Sequence, residues 1–238
     1  MKRRTIAARS NWESIVASQG LTYHHVAGRP YWNETSFYEF SAREIDNLEE
    51  ATNQLHQMCL AAVQRVIDED LFARLRISAP AATLVRRTWE AEPPAIYGRF
   101  DLAYDGAQIK LLEYNADTPT ALVEAAVVQW YWMKDNFPGC DQFNSIHERL
   151  IAKWKELLSY CGTPLYFAGV DDAAHEDLMT LTYLADTAQQ AGHRVTLLDM
   201  AEIGYDHDSY HFVAPTREPI RSIFKLYPWE WMVAEEFA

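Results

Sequence analysis

The sequence predicts a mixed α/β protein. Two short apolar runs, Leu165-Tyr-Phe-Ala-Gly-Val170 and Val195-Thr-Leu-Leu198, flank a helical stretch from 174 to 191 that ends at Gly192, the order of a βαβ unit. Long helical periodicities occupy much of the preceding chain. The third observation is that 49% of the 238 residues are hydrophobic, enough to bury a sizeable core.

The elements follow in order. Gly28-Arg-Pro-Tyr-Trp32 combines breakers with aromatic rings and reads as an ordered connection packed on the core. Ser41-Ala-Arg-Glu44 is a capping box, and Ile45, Leu48, Leu55, Met58, Cys59, Ala62, Val66 and Ile67 then recur at helical spacing, predicting one long amphipathic helix to about Asp68. A second helical pattern runs from Thr120 through Trp132, and Phe143, Ile146, Leu150, Ile151, Trp154 and Leu158 mark a third. Beyond the βαβ unit, Tyr210-His-Phe-Val213 and Ile220 to Leu226 are strand candidates, with Asp206-His-Asp-Ser209 as a turn. The segments are therefore a mainly helical part at 1–94, a hairpin region at 95–120, a helical part at 121–160 and an α/β part at 161–238. Trp229, Met232, Val233 and Phe237 begin a further apolar helical spacing, and Ala238 follows directly. That ending raises the expectation of an incomplete polypeptide, against the plainer reading of a docked terminal helix.

Charge and composition narrow the function. Lys plus Arg total 21 against 34 for Asp plus Glu, a net charge of −13 that repels nucleic acid and anionic lipid alike. An anionic nucleotide would need local cations, a helix N-terminus or a bound metal. The three cysteines, Cys59, Cys140 and Cys161, show no metal-ligand spacing and suggest no disulfide framework, which fits a reducing cytoplasm. The basic start runs into Ser10-Asn-Trp-Glu without a signal-peptide core, and no segment approaches the roughly 18 uninterrupted apolar residues of a membrane span. A dinucleotide or Walker-type site is disfavoured because no glycine-rich phosphate loop accompanies the βαβ unit.

Chemistry concentrates between Ala95 and Asn115, which reads as a β-hairpin centred on Asp105-Gly106. A two-residue loop would send Asp101 and Glu113 to opposite faces. A three-residue loop, Tyr104-Asp105-Gly106, would gather Arg99, Asp101, Glu113 and Asn115 on one face and Ile96, Phe100, Leu102, Leu112 and Tyr114 on the other. The second register satisfies both faces and is the one expected. Two carboxylates and an amide oxygen on strands are hard ligands of the kind magnesium prefers, and an adjacent arginine suits charge developing on a transferred phosphoryl group. On spacing alone, a surface ion-pair ladder is the commoner arrangement of such residues. Elsewhere, Asp171-Asp172 fits helix capping, and His24-His25 lies in an aromatic loop without partners at ligand spacing, so a packed or solvated role is expected. Asp117-Thr-Pro-Thr120 reads as a helix N-cap whose hydroxyls and amides could also hold an anionic group.

At these residues the chain resembles the glutathionylspermidine synthase family, and specifically its stand-alone bacterial acid–amine ligases. The resemblance covers essentially the whole chain. It rests on Gly28-Arg-Pro-Tyr-Trp32, Leu55-His-Gln-Met-Cys-Leu60, Tyr97-Gly-Arg-Phe-Asp-Leu-Ala-Tyr-Asp-Gly106, Leu112-Glu-Tyr-Asn-Ala-Asp-Thr-Pro-Thr120, Asp141-Gln-Phe-Asn-Ser145 and Phe224-Lys-Leu-Tyr-Pro-Trp-Glu230. It implies an ATP-grasp-type synthetase with a pre-ATP-grasp βαβ region, in which ATP phosphorylates a carboxylate and an amine attacks the acyl phosphate. It further implies that Arg99 stabilises the transition state, that Asp101 and Glu113 hold one Mg2+, and that Glu113 and Asn115 hold a second. Arg99, Phe100, Asp101 and Lys225 would lie at the nucleotide. Thr118 and Thr120 stand where glutathione-specific members carry hydroxyls near the acid, with Pro119 altering that pattern. The implied partners are a small acid, glutathione or a peptide-like molecule, and a polyamine or amino acid.

The cysteine amidase domain of bifunctional relatives has no counterpart in these residues, and family members continue past the position of Ala238, so a C-terminal ATP-grasp lobe is expected to be missing and the 238 residues inactive alone. Two other readings compete: a two-carboxylate hydrolase using Asp101 and Glu113, and a non-catalytic module that binds metal or nucleotide.

Overall fold

The computed structural model describes residues 1–170 and 175–236. It is 43% helical and 20% strand, which bears out the mixed class. In chain order, β1 (Lys2–Thr5) and α1 (Trp12–Ser18) precede a small hairpin of β2 (His25–Val26) and β3 (Arg29–Pro30), after which β4 (Ser36–Glu39) pairs with β1. Helices α2 (Ala42–Asp68) and α3 (Ala79–Ala91) lead to the hairpin β5 (Arg99–Tyr104) and β6 (Ile109–Asn115). A π-helical turn, Glu124–Val128, runs into α4 (Gln129–Asn136), followed by α5 (Ile146–Glu156), β7 (Leu165–Gly169), α6 (Glu176–Gln190) and β8 (Val195–Asp199). Strands β9 (Gly204–Asp206), β10 (His211–Val213) and β11 (Ile223–Leu226) and the single-turn helix α7 (Trp229–Met232) complete the order. The chain forms two compact units, one of Met1–Arg4, Tyr38–Ala116 and the segment from Pro228, the other of Thr5–Phe37 and Asp117–Tyr227.

In the first unit, α2 begins with the capping box read from the sequence. Ser41 Oγ accepts from the Glu44 amide at 3.3 Å while Glu44 Oε2 accepts from the Ser41 amide at 2.9 Å. Its predicted length holds, but none of its residues is fully buried, and Met58 is 65% exposed. The helical spacing therefore identified the helix but overstated its cover. α3 is tied to the end of α2 by Arg86, which donates to the Ile67 carbonyl at 3.0 Å and Asp70 at 2.6 Å and lies over the buried Phe72 ring.

In the second unit the predicted βαβ forms, with β7 and β8 parallel and β11 parallel on the other side of β7. All five residues of β7 are buried, as its unbroken apolar run requires of a central parallel strand. The Trp154 ring from α5 meets Phe167 edge-on at 5.5 Å, and its Nε1 donates to Thr187 in α6 at 3.1 Å. β9 and β10 pair antiparallel around the turn at 206–210. Ala174, Asp171 and Asp172 lie outside the described residues, as does Phe237. Of the terminal apolar spacing, α7 keeps one turn, with Trp229 50% and Trp231 55% exposed.

β7 ends at Gly169, where an added methyl would sit 2.6 Å from Leu181 Cδ1 and 3.2 Å from the Leu226 carbonyl. Gly169→Ala is expected to destabilise this unit by about 1–3 kcal/mol through overpacking, seen as a lower urea midpoint at unchanged secondary structure.

Candidate active site

The hairpin is shaped first by its turn. Asp105 Oδ1 accepts from the amides of Gln108 at 2.7 Å and Ala107 at 2.8 Å, and these bonds to its charged form hold the carboxyl below the ordinary carboxylate range. Gly106 takes the left-handed conformation, φ 96°. The side-chain bonds close a four-residue loop, 105–108, so Tyr104 opposes Ile109 and the expected three-residue loop is corrected.

A four-residue loop alone would set Asp101 opposite Leu112 and turn Glu113 to the other face. The register shifts between Asp101 and Leu102, and beyond the shift Asp101 opposes Glu113, Phe100 opposes Tyr114 and Arg99 opposes Asn115. Since Leu102 pairs with Leu111, Leu112 is the surplus residue of a β-bulge. It is 70% exposed, contrary to its expected place in the apolar set. Directly opposite residues share a face, so the four polar residues lie together even though the loop differs.

The other face is pinned to α2. Phe100 stacks on Tyr114 at 4.1 Å, the Tyr114 hydroxyl lies 3.4 Å from His56 Nδ1, and the Tyr104 hydroxyl donates to Glu44 at 3.2 Å. Gly98 leaves room for this packing, since a methyl there would sit 2.6 Å from the Tyr114 ring. On the polar face Arg99 Nε donates to Asp101 Oδ1 at 3.2 Å, with both side chains part-exposed and Glu113 exposed. This arrangement contains the ion pair of the ladder reading and also the hard-oxygen set that suits a magnesium ion shared with phosphate. Phe100 itself is half-buried in the stacked pair.

Lys225, Thr118 and Thr120 belong to the other unit. Lys225 projects from β11, and its ammonium donates to the Asp117 carboxylate and, at 2.8 Å, to the Tyr227 carbonyl. Its side chain is 12% exposed. Asp117 thus accepts from Lys225. Thr118 and Thr120 are half-buried on either side of the fully buried Pro119.

One polar cluster was not read from the sequence. Glu124, 7% exposed within the π-helical turn, accepts at Oε1 from the Tyr23 hydroxyl at 2.5 Å and the Tyr31 hydroxyl at 2.8 Å. Burial first, then the Glu124 carboxylate, pushes both phenols above their ordinary range. No local signal links these residues across about a hundred positions.

Residues 3–238 match the family described as glutathionylspermidine synthase preATP-grasp, and the chain belongs to that family. It is 39% identical over 245 residues to a Haemophilus influenzae protein named "Putative acid–amine ligase", matching 100% of this chain and 62% of that protein. It is 30% identical over 174 residues to a Crithidia fasciculata glutathionylspermidine synthase, matching 68% of this chain and 24% of that protein. Over 200 residues it is 24% identical to the bifunctional glutathionylspermidine synthetase/amidase of Escherichia coli, 82% of this chain and 31% of that protein. The chain thus spans less than two thirds of the length of these relatives. No helix among the described residues is long and apolar enough to cross a membrane.

Two outcomes test this geometry. With the three native cysteines replaced by alanine, an Asp101→Cys, Glu113→Cys pair is expected to close an intrachain disulfide on mild oxidation, and an Asp101→Cys, Tyr114→Cys pair, on opposite faces of the hairpin, is expected not to, as read by mass spectrometry. The raised phenols of Tyr23 and Tyr31 favour the neutral form in the fold, so their contribution to stability is complete below the ordinary tyrosine range, near pH 10, and is lost as pH rises beyond it. The unfolding midpoint of the protein should therefore fall more steeply above about pH 10 than that of a Tyr23→Phe, Tyr31→Phe variant.

Proposed function

We propose that this chain supplies the metal-binding and phosphoryl-transfer end of a cytoplasmic ATP-dependent ligase that joins a small carboxylic acid to an amine. The observation that carries the reading is the cross-strand pairing of Asp101 with Glu113 and of Arg99 with Asn115, in a chain belonging to the glutathionylspermidine synthase preATP-grasp family. Asp101 and Glu113 would hold one Mg2+, and Glu113 and Asn115 a second. Bound there, the ions would neutralise phosphate oxygens and lower the barrier to phosphoryl transfer.

The chain's own groups do the rest. The Arg99 guanidinium, steadied by Asp101 at 3.2 Å, lies on the face where charge would develop on the transferred phosphoryl group and offers it several N–H donors. Lys225, ordered by Asp117 and the Tyr227 carbonyl, would face the nucleotide with little side-chain entropy left to lose. Thr118 and Thr120 hydroxyls would receive the acid. In the reaction a carboxylate oxygen takes the γ-phosphoryl group and ADP leaves. The amine lone pair then attacks the acyl carbon, phosphate departs, and the nitrogen releases a proton.

The relatives' names point to glutathione, or a peptide resembling it, as the acid and to a polyamine such as spermidine as the amine. Family membership favours this over a two-carboxylate hydrolase.

Glu113→Gln removes the one charge shared by both proposed ions while nearly preserving shape. Losing a charge-assisted contact of about 1.5–3 kcal/mol should weaken Mg-ATP binding roughly ten- to a hundredfold, measured by calorimetry across a magnesium titration at unchanged thermal stability. Equal nucleotide affinity for both proteins at every magnesium concentration would overturn the assignment.

A further inference from the structure

We propose that Glu13, His24 and His25 form a binding site for a transition metal of the zinc type, built from different residues and a different donor chemistry than the hairpin carboxylates. Each residue offers one ligand atom, and the three lie within 4.8 Å of one another. His24 Nδ1 stands 2.8 Å from His25 Nδ1, and His25 Nε2 stands 3.8 Å from Glu13 Oε1. Zinc bonds of about 2.0–2.1 Å in a tetrahedral shell separate neighbouring ligand atoms by about 3.3 Å, between those two spacings. His25 presents one ring nitrogen to His24 and the other to Glu13, and a modest turn of the ring brings one of them to the common centre. A hydrogen must sit between the two facing Nδ1 atoms, and a metal ion can take its place.

The backbone holds the pair in position. Ala27 and Gly28 form a left-handed two-residue turn, φ 50° and 74°, that folds His25 opposite Pro30. The His24 carbonyl accepts from the amides of Tyr31 at 2.9 Å and Trp32 at 3.3 Å. Trp12, beside Glu13 on α1, packs its ring 5.6 Å from His24 and 5.7 Å from His25. These contacts fix the adjacent imidazoles on both sides while Glu13 stays exposed, leaving the remaining coordination position to water, as in open three-ligand zinc sites. Two imidazole nitrogens select zinc, cobalt, nickel or copper over magnesium.

Zinc alone is the probe. The purified metal-free chain would be titrated with Zn2+ against a chromogenic chelator, and with Co2+ to read the ligand field. One equivalent is expected to bind. Affinity should fall at least tenfold in Glu13→Gln and a hundredfold or more in His25→Ala, on the scale that lost ligand-shell contacts carry, and stay unchanged in Glu113→Gln and in the exposed-surface control His211→Ala. Because Trp12 abuts both rings, Co2+ should also quench a fluorescence component absent from Trp12→Phe, a readout independent of the histidine variants. Circular dichroism confirms that each variant is folded, and Glu13→Gln, at an exposed position, decides the matter if His25→Ala is not. Absence of stoichiometric zinc, or equal zinc affinity in the parent, Glu13→Gln and His24→Ala proteins, would overturn the proposal and leave a hydrogen-bonded histidine pair.

Discussion

The chemistry available to the hairpin depends on parity. Successive residues of a strand face opposite sides, so Asp101 and Glu113 can share a face only if the count of residues between them suits the loop. The Asp105 side chain closes an even loop by binding two backbone amides, and that loop would separate the carboxylates. Leu112 restores the parity by standing outside the ladder. An exposed leucine is a small cost for this, about the hydrophobic burial of one side chain forgone, and the Phe100–Tyr114 stack and the bonds to His56 and Glu44 keep the remaining register from slipping.

The second unit depends on a different constraint, a buried charge. Glu34 is 3% exposed and accepts from Arg9 Nε at 2.7 Å and from Trp32 Nε1 at 2.7 Å, while Arg9 also reaches Asp135 on α4 at 2.6 Å. Removing one member of a buried pair strands the other charge at about 3–5 kcal/mol. The pair therefore ties the segment before α1 and the segment after the β2–β3 hairpin to one helix. The histidine loop between them inherits its position from an interaction that includes neither histidine.

What could be read from the sequence was whatever is encoded locally. The capping box at Ser41 and Glu44 named the start of α2, and the unbroken apolar run of β7 named a central parallel strand. The hairpin's position was legible, but its loop was not, because Asp105 can cap a turn of more than one length. The bulge left a trace only in the adjacent apolar pair Leu111-Leu112, where alternation breaks. α3 was missed although Ser78 caps it and a proline sits in its first turn. Glu13 and the His24-His25 pair could not be joined on paper: ten residues lie between them, and a left-handed Asn11 before Glu13 and a mirror-type turn after His25 act through backbone conformation.

The π-helical turn at Glu124–Val128 has a consequence for how this chain can vary. Such a turn holds one residue more than an α-turn would, and each residue of an α-helix advances the face by about 100°. Removing a single residue there would rotate Glu124 relative to the Trp132 side of α4 by that amount, taking the carboxylate from beneath Tyr23 and Tyr31 or withdrawing Trp132 and Met133 from the core. Substitutions within the turn change only their own side chains, whereas a change in its length changes the phase of everything beyond it. Across descendants of this sequence, residue number in this short segment should be held more tightly than residue identity.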